Sequence, residues 1–218
     1  MINRPTLLNS APALALLAGA SLYVQPAAAT LITFDDLTDT SGGFGGTPIA
    51  NGYQGLNWTN WNVLNTAGFT TNFGPNGGQS GTVSPPNVAY NPTGGEAIFS
   101  STTPFTLNSA DLTAFWNDGL QVTVTGLLGG VAKDTTTVTL SATAPTLETF
   151  NFANINEVDL LASGGTQHVG YSGAGTQVAL DNLTITTSQV TTPEPSSLAI
   201  VGSGLAGLGL ARRRRKAA

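Results

Sequence analysis

Leu120-Gln121-Val122-Thr123-Val124-Thr125 alternates apolar and polar side chains without a break. A period of two places Leu120, Val122 and Val124 on one face of a strand and Gln121, Thr123 and Thr125 on the other, the pattern of a half-buried strand. Gly129-Gly130 follows and supplies the positive φ of a tight hairpin turn, after which a second run continues through Val138-Thr139-Leu140. Outward from this hairpin, further runs lie at Leu31–Phe34, Ala97–Ser100, Ala110–Trp116, Thr146–Phe152, Glu157–Ala162 and Gln177–Thr186, punctuated by Gly, Asn and Pro. Helical periodicity is almost absent between them, where Thr, Asn, Gly and Val dominate. Runs so spaced predict an all-β domain over residues 30–190, a jelly-roll-like antiparallel β-sandwich. Two sheets packed face to face would bury Phe34, Phe99, Phe115, Phe150 and Phe152, each large apolar side chain contributing about 1.5–3 kcal/mol. A body of about 160 residues is long enough to close one such core. Thr40–Pro92, rich in Gly, Asn, Pro and aromatics, has weak alternation and is expected to form long loops over the sandwich.

Composition narrows the chemistry. The chain has 218 residues, 9% of them charged, with 27 Gly, 12 Pro and no Cys. Without cysteine there is no disulfide framework, no thiolate metal site and no cysteine nucleophile. His168 is the one histidine, so an all-histidine metal site is excluded. Between residues 30 and 192, Lys133 alone stands against eleven carboxylates, a formal charge of −10 where the whole chain carries −5. Such a body repels phosphate backbones, which excludes nucleic acid as a partner. Cations and neutral polyols are the partners that remain.

The two ends read as addresses. Arg4 precedes the apolar run from Ala11 to Val24, and Pro26 breaks it ahead of Ala27-Ala28-Ala29. That order predicts a signal peptide over residues 1–29, cut by signal peptidase after the small pair Ala27 and Ala29. At the other end Pro193-Glu194-Pro195 is followed by an uncharged run to Ala211 and then by Arg212, Arg213, Arg214, Arg215 and Lys216. As a helix, residues 196–211 would span about 24 Å, short of the ~30 Å hydrocarbon core, so they predict a short transmembrane helix and a poor permanent anchor. The arginine cluster belongs on the cytoplasmic side of the inner membrane, with the body outside. Gly202-Ser203-Gly204-Leu205-Ala206-Gly207 formally matches a dinucleotide fingerprint but neither follows a strand nor opens a βαβ unit, so the match is chance.

Pro-Glu-Pro, a short apolar helix and an arginine cluster in that order resemble the PEP-CTERM protein-sorting tail, here assigned to residues 191–218. The resemblance implies a Gram-negative bacterium with an exopolysaccharide-linked sorting system. It also implies an exosortase-type enzyme that recognises the tail and cuts near Pro193-Glu194-Pro195. The localisation it implies is transient tethering at the inner membrane, then the cell surface or extracellular matrix.

Three constellations within the body are candidates for binding. Asp35 and Asp36 follow the first strand, and Asp181-Asn182 interrupts the last one. Val178 and Leu180 share one parity and Leu183 and Ile185 the other, which predicts a bulge at Asp181-Asn182. If the first and last strands pair, Asp35 or Asp36 converges with Asp181 on a hard cation such as Ca2+, which takes six to eight oxygens. The opening acidic turn and the closing Asp-Asn also resemble carbohydrate-binding jelly rolls, which often keep a structural calcium there. The alternative is turn residues bonded to their own backbone.

The second constellation runs from Tyr53 to Asn62. Tyr53, Trp58 and Trp61 beside Asn57 and further amides suit a sugar, whose apolar faces stack on rings while amides bond the hydroxyls. Core packing is the competing role for the same rings. In the third, Trp116 precedes the Asn117-Asp118-Gly119 turn signal and would extend a binding face.

Catalysis has no positive signature. No Gly-x-Ser-x-Gly elbow occurs, and His168 reads as a surface-loop residue. A glycosidase would draw its acid pair from the eleven carboxylates of the body. The expectation is a non-catalytic, exported protein associated with extracellular polysaccharide. A structural or adhesive matrix component, a polysaccharide-acting enzyme and an ice-binding protein are the alternatives.

Overall fold

The structure is a computed structural model that describes residues 28–187. The signal segment through Ala27, the sorting motif and the expected membrane helix at 196–211 lie outside the described residues. Among the described residues no helix is long and apolar enough to cross a membrane.

In chain order the elements are β1 (Ala29–Ile32), β2 (Thr47–Pro48), β3 (Asn57–Thr59), β4 (Asn62–Asn65), α1 (Thr66–Phe73), α2 (Gly77–Gly81), β5 (Asn87–Tyr90), β6 (Ala97–Ala114), β7 (Asn117–Leu128), β8 (Val131–Leu140), β9 (Thr146–Gln167) and β10 (Val178–Thr187). All strand pairs are antiparallel, in the order β2-β4-β5-β10-β6-β9-β7-β8, with β1 on β10 and β3 on β6. The expected hairpin is β7–β8, turning at Gly129 (φ 59°) and Gly130 (φ 76°).

One connected sheet becomes a sandwich because β6 and β9 serve two layers. Ala97–Ser100 of β6 pair with Glu157–Leu160, and Phe105–Leu112 pair with Thr146–Ile155. The register breaks between Ser100 and Phe105, leaving Ser101–Pro104 unpaired with β9. Beyond the break β9 turns to β7, which it follows from Glu157 to Gln167. Two further shifts set three residues of β9 against two of β6, and they coincide with Asn151 and Asn154, both at φ 54°. Asparagine is among the few residues with a side chain that tolerate this left-handed backbone, and such bulges are how strands turn sheet corners. Phe99, Val124, Val158 and Leu160 from one layer and Leu107, Leu112, Leu180 and Leu183 from the other then line one narrow apolar space.

Most of the expected core is in place. Phe34, Phe99, Phe115 and Phe152 are buried, and Phe150 is partly so. The parity change in the last strand is a bulge: Asp181 faces Asp111, Thr184 faces Ser109, and Asn182 between them sits at φ 47°. Val178, Leu180, Leu183 and Ile185 are thereby all buried.

Thr40–Pro92 differs from the loops expected there, for it holds β2 to β5 and both helices. Its strands are two to four residues long, too short for alternation to mark them, and all four residues of β5 are buried. Helix α1 starts at Asn65, whose side chain accepts from the Gly68 N–H, and buries Phe69. Helix α2 is glycine-rich because β6 presses on it. A Cβ on Gly77 would stand 1.9 Å from the Ala114 carbonyl oxygen.

Candidate functional site

The first and last strands pair as expected, Ala29 opposite Thr186 through Ile32 opposite Leu183. The three carboxylates proposed for calcium nevertheless go to separate tasks. Asp181 is fully buried, and its oxygens accept the Val83 and Ser84 N–H groups at 2.8 Å, the Ser84 hydroxyl at 2.9 Å and the Asn182 N–H at 2.8 Å. Burial pushes its carboxyl above the ordinary value, and these hydrogen bonds oppose the rise without cancelling it. Asp35 accepts the Asn87 N–H at 3.2 Å, and Asp36 accepts the Tyr53 hydroxyl at 2.6 Å. Burial and the Asp36 carboxylate push the Tyr53 phenol upward. Calcium needs converging lone pairs, whereas donor hydrogens converge on Asp181. Asp35, Asp36 and Asp181 therefore do not fit a calcium cage, and among the described residues no three acidic or histidine side chains form a metal-holding group.

The aromatic constellation turns inward. Strand β3 places Trp58 opposite Phe99, with Asn57 and Thr59 on the outer face. The Trp58 ring lies 5.6 Å from Phe34, 5.6 Å from Phe99 and 6.4 Å from Trp61, and its indole N–H donates to the Tyr53 carbonyl. Trp58 is 5% exposed and Trp61 2%, so neither offers a ring face to a sugar. Trp116 joins Phe69, Phe115 and Tyr171 in a second cluster. Of the five residues proposed for sugar binding, Asn57 is exposed, Tyr53 half-buried, and the three tryptophans are core.

The described surface holds a larger concavity elsewhere. A groove of about 370 Å³ runs beneath the β1–β2 connection and includes Asp35, Thr38, Asp39, Asn65 and Asn87 in its walls. The connection is tied down by its own polar groups. Asp39 accepts from the Ser41 and Asn65 N–H groups at 2.8 and 3.0 Å, and Thr40 N–H donates to the Thr47 hydroxyl. Burial pushes the Asp39 carboxyl up, but bonds from Ser41, Asn65 and Thr47 outweigh it and hold it below its ordinary value. Burial and the charge of Asp39 raise the Tyr90 phenol to about 12, and that hydroxyl donates to Gly45. Asn72 Nδ2 donates to the Gly42 and Gly43 carbonyls, which clamps the connection onto α1. Gly43 is required there, since a Cβ would lie 2.4 Å from the Gly68 carbonyl carbon. Asn87 donates through Nδ2 to the Phe34 and Leu37 carbonyls, while its Oδ1 is buried without a partner. No sequence motif marks this groove, because its walls come from three separate segments.

A second arrangement also escaped the sequence. His168 is half-buried, and its Nδ1 meets Asp118 Oδ2 at 2.5 Å, although the two lie fifty positions apart. The β7–β9 register creates the pair by setting Asp118 opposite Thr166. The histidine bond, followed by the Ala142 N–H, holds the Asp118 carboxyl below its ordinary value. Ser141 Oγ reaches Asp118 rather than the imidazole, so it is not placed as a nucleophile activated by this ring.

Two measurements follow from these placements. Trp58→Ala is expected to lower stability by about 3–5 kcal/mol, as for a large core aromatic, and an unchanged urea midpoint would contradict the burial described. Asp159 faces Ile98 on the outer side, and burial, then Glu157 and Glu96, push its carboxyl up to about 6. A folded-state value above the unfolded one means that the folded chain binds more protons in this window, so stability falls as pH rises from about 4 to about 6. Asp159→Asn should raise the melting temperature at pH 7 and leave it nearly unchanged at pH 4. An equal shift at both would remove the electrostatic cause.

Comparison with known proteins adds one firm element. Residues 191–216 match the PEP-CTERM protein-sorting motif. No curated protein matches the chain. Among solved structures, a DUF4465 family protein from Bacteroides caccae is similar at 11% identity and a TM-score of 0.42, over 60% of this chain and 78% of its own. TmCBM61, solved in complex with beta-1,4-galactotriose, is similar at 5% identity and a TM-score of 0.27, over 63% of this chain and 90% of its own. The chain thus carries a PEP-CTERM sorting tail, which marks it as an exported protein processed at the membrane by an exosortase-type enzyme.

Proposed function

We propose that this chain is a cell-surface or extracellular-matrix protein whose β-sandwich associates with polysaccharide without cleaving it. The observation that carries the reading is the open groove under the β1–β2 connection, lined by carboxylates and amides on a lobe that a sorting tail delivers outside the cell. A carboxylate- and amide-lined groove suits a ligand rich in hydroxyl groups, since few, fixed polar groups are what a saccharide site requires. The connection that roofs it is pinned at Asp39, Ser41 and Asn72, so little order has to be gained on binding. Several body carboxylates are already committed to backbone N–H groups, as Asp39, Asp118 and Asp181 are, which suits a scaffold more than a pair of acids free to exchange protons.

A purely structural or adhesive role is the rival reading. It is favoured by the burial of Trp58, Trp61 and Trp116, which removes the rings that composition offered as a binding platform. Co-sedimentation separates the two. The full chain, mixed with exopolysaccharide isolated from its own producing cells, is expected to pellet with the polymer and to be displaced by soluble fragments of it. A chain that stays in the supernatant at every polymer concentration would leave the structural role in possession.

A further inference from the structure

We propose that the groove and the exposed phenylalanine pair beside it form one saccharide subsite that selects non-acidic sugars and rejects uronates. The inference rests on the polysaccharide reading and adds the residues and the class of sugar to it.

Phe44 is 70% exposed and Phe73 41%, the two exposed large aromatic side chains among the described residues. Their centroids are 5.9 Å apart at 83°, and Phe73 packs on Phe69 at 4.6 Å, which anchors the pair to the second core cluster. The pair adjoins the groove. Gly42 and Gly43 belong to the groove wall, and a Cβ on Gly42 would stand 3.9 Å from the Phe44 ring. The Phe44 N–H donates to the Ser41 hydroxyl, so the loop that presents the ring is held in place. An apolar ring fixed at the rim of a polar groove is the arrangement that takes the C–H face of a sugar while its hydroxyls enter the groove.

The polar inventory sets the selectivity. Asp39 accepts three hydrogen bonds or more and stays ionised, as its depressed carboxyl requires. Asp35 uses Oδ1 for the Asn87 N–H and has Oδ2 without a partner among the described residues. Asn87, 3% exposed, keeps a buried Oδ1 that no donor meets. Asp35 Oδ2 is thus the unengaged carboxylate oxygen of the groove wall among the described residues, and it calls for a ligand that supplies O–H or N–H hydrogens. Among the described residues no lysine or arginine serves the groove: Lys133, the one base between residues 30 and 192, is on β8 and donates to the Asn154 carbonyl. A uronate carboxylate brought here would face Asp35 and Asp39 with nothing to neutralise it, and that repulsion is what discriminates.

The test uses the full chain in affinity electrophoresis and titration calorimetry with three probes: a soluble neutral β-glucan, chitosan oligosaccharide and alginate oligosaccharide. Binding to the glucan or to chitosan but not to alginate is expected. Phe44→Ala, a change at an exposed ring, should weaken that binding at least tenfold with no change in melting temperature. Val131→Ala, exposed on β8, should leave it unaltered. Thr38→Lys places a cation on the groove wall and is expected to admit alginate. Preferential binding of alginate by the unchanged chain overturns the selectivity. Polysaccharide binding that Phe44→Ala and Thr38→Lys leave intact overturns this subsite while the broader reading stands. Binding to none of the probes or to the producer's own polymer removes both.

Discussion

Strands β6 and β9 each belong to both layers, and the rest of the lobe depends on that sharing. If their registers ran straight, the sheet would stay open and its apolar face would lie in water. The Ser101–Pro104 segment, unpaired with β9, and the left-handed Asn151 and Asn154 let the two strands cross from one layer to the other. Phe99 and Val158 on one side of the crossing can then meet Leu107 and Leu112 on the other. The cost is a run of irregular backbone, which the buried apolar contacts between the layers offset. The layer that contains β4, β5 and β10 in turn carries α1 and α2, and the groove forms where the β1–β2 connection lies over α1.

The same logic separates what a reader of the sequence can see from what stays hidden. Strand β7 announces itself because one face is buried and the other exposed, so composition alternates at every step. The Asp181-Asn182 bulge is legible for a related reason, since a change of parity in a continuous strand has few other causes. Strand β5 is silent because Asn87-Val88-Ala89-Tyr90 is buried on both faces. Trp58 is the instructive case. Aromatic and amide residues in one segment suit a sugar platform and a core strand equally well. Asn57-Trp58-Thr59 alternates as a strand does, but three residues are too few to mark one in the sequence. The Asp118–His168 pair and the groove were beyond reach for another reason: both are products of register and loop packing between distant segments.

Charge ties these features together. A body with eleven acids and one base has almost no internal salt bridges to draw on. Several of its carboxylates are satisfied instead by backbone N–H groups and hydroxyls, as at Asp39 and Asp181, or by the lone histidine, as at Asp118. That use of acids as anchors disperses them, and among the described residues no three acidic or histidine side chains gather into a metal-holding group. Where they do crowd, at Glu96, Glu157 and Asp159, the result is a raised carboxyl on the outer face of the sheet. An acidic lobe of this kind repels anionic polymers over about a Debye length, roughly 8–10 Å at physiological salt.

Delivery outside the cell is the premise on which the saccharide reading stands. It is tested most directly by the mass of the mature protein recovered from the envelope and culture medium of the producing cell. The account predicts a chain beginning at Thr30, opposite Ile185 in the sheet, and ending close to Pro193-Glu194-Pro195. Recovery of the uncut 218-residue chain from the cytosol alone would contradict it.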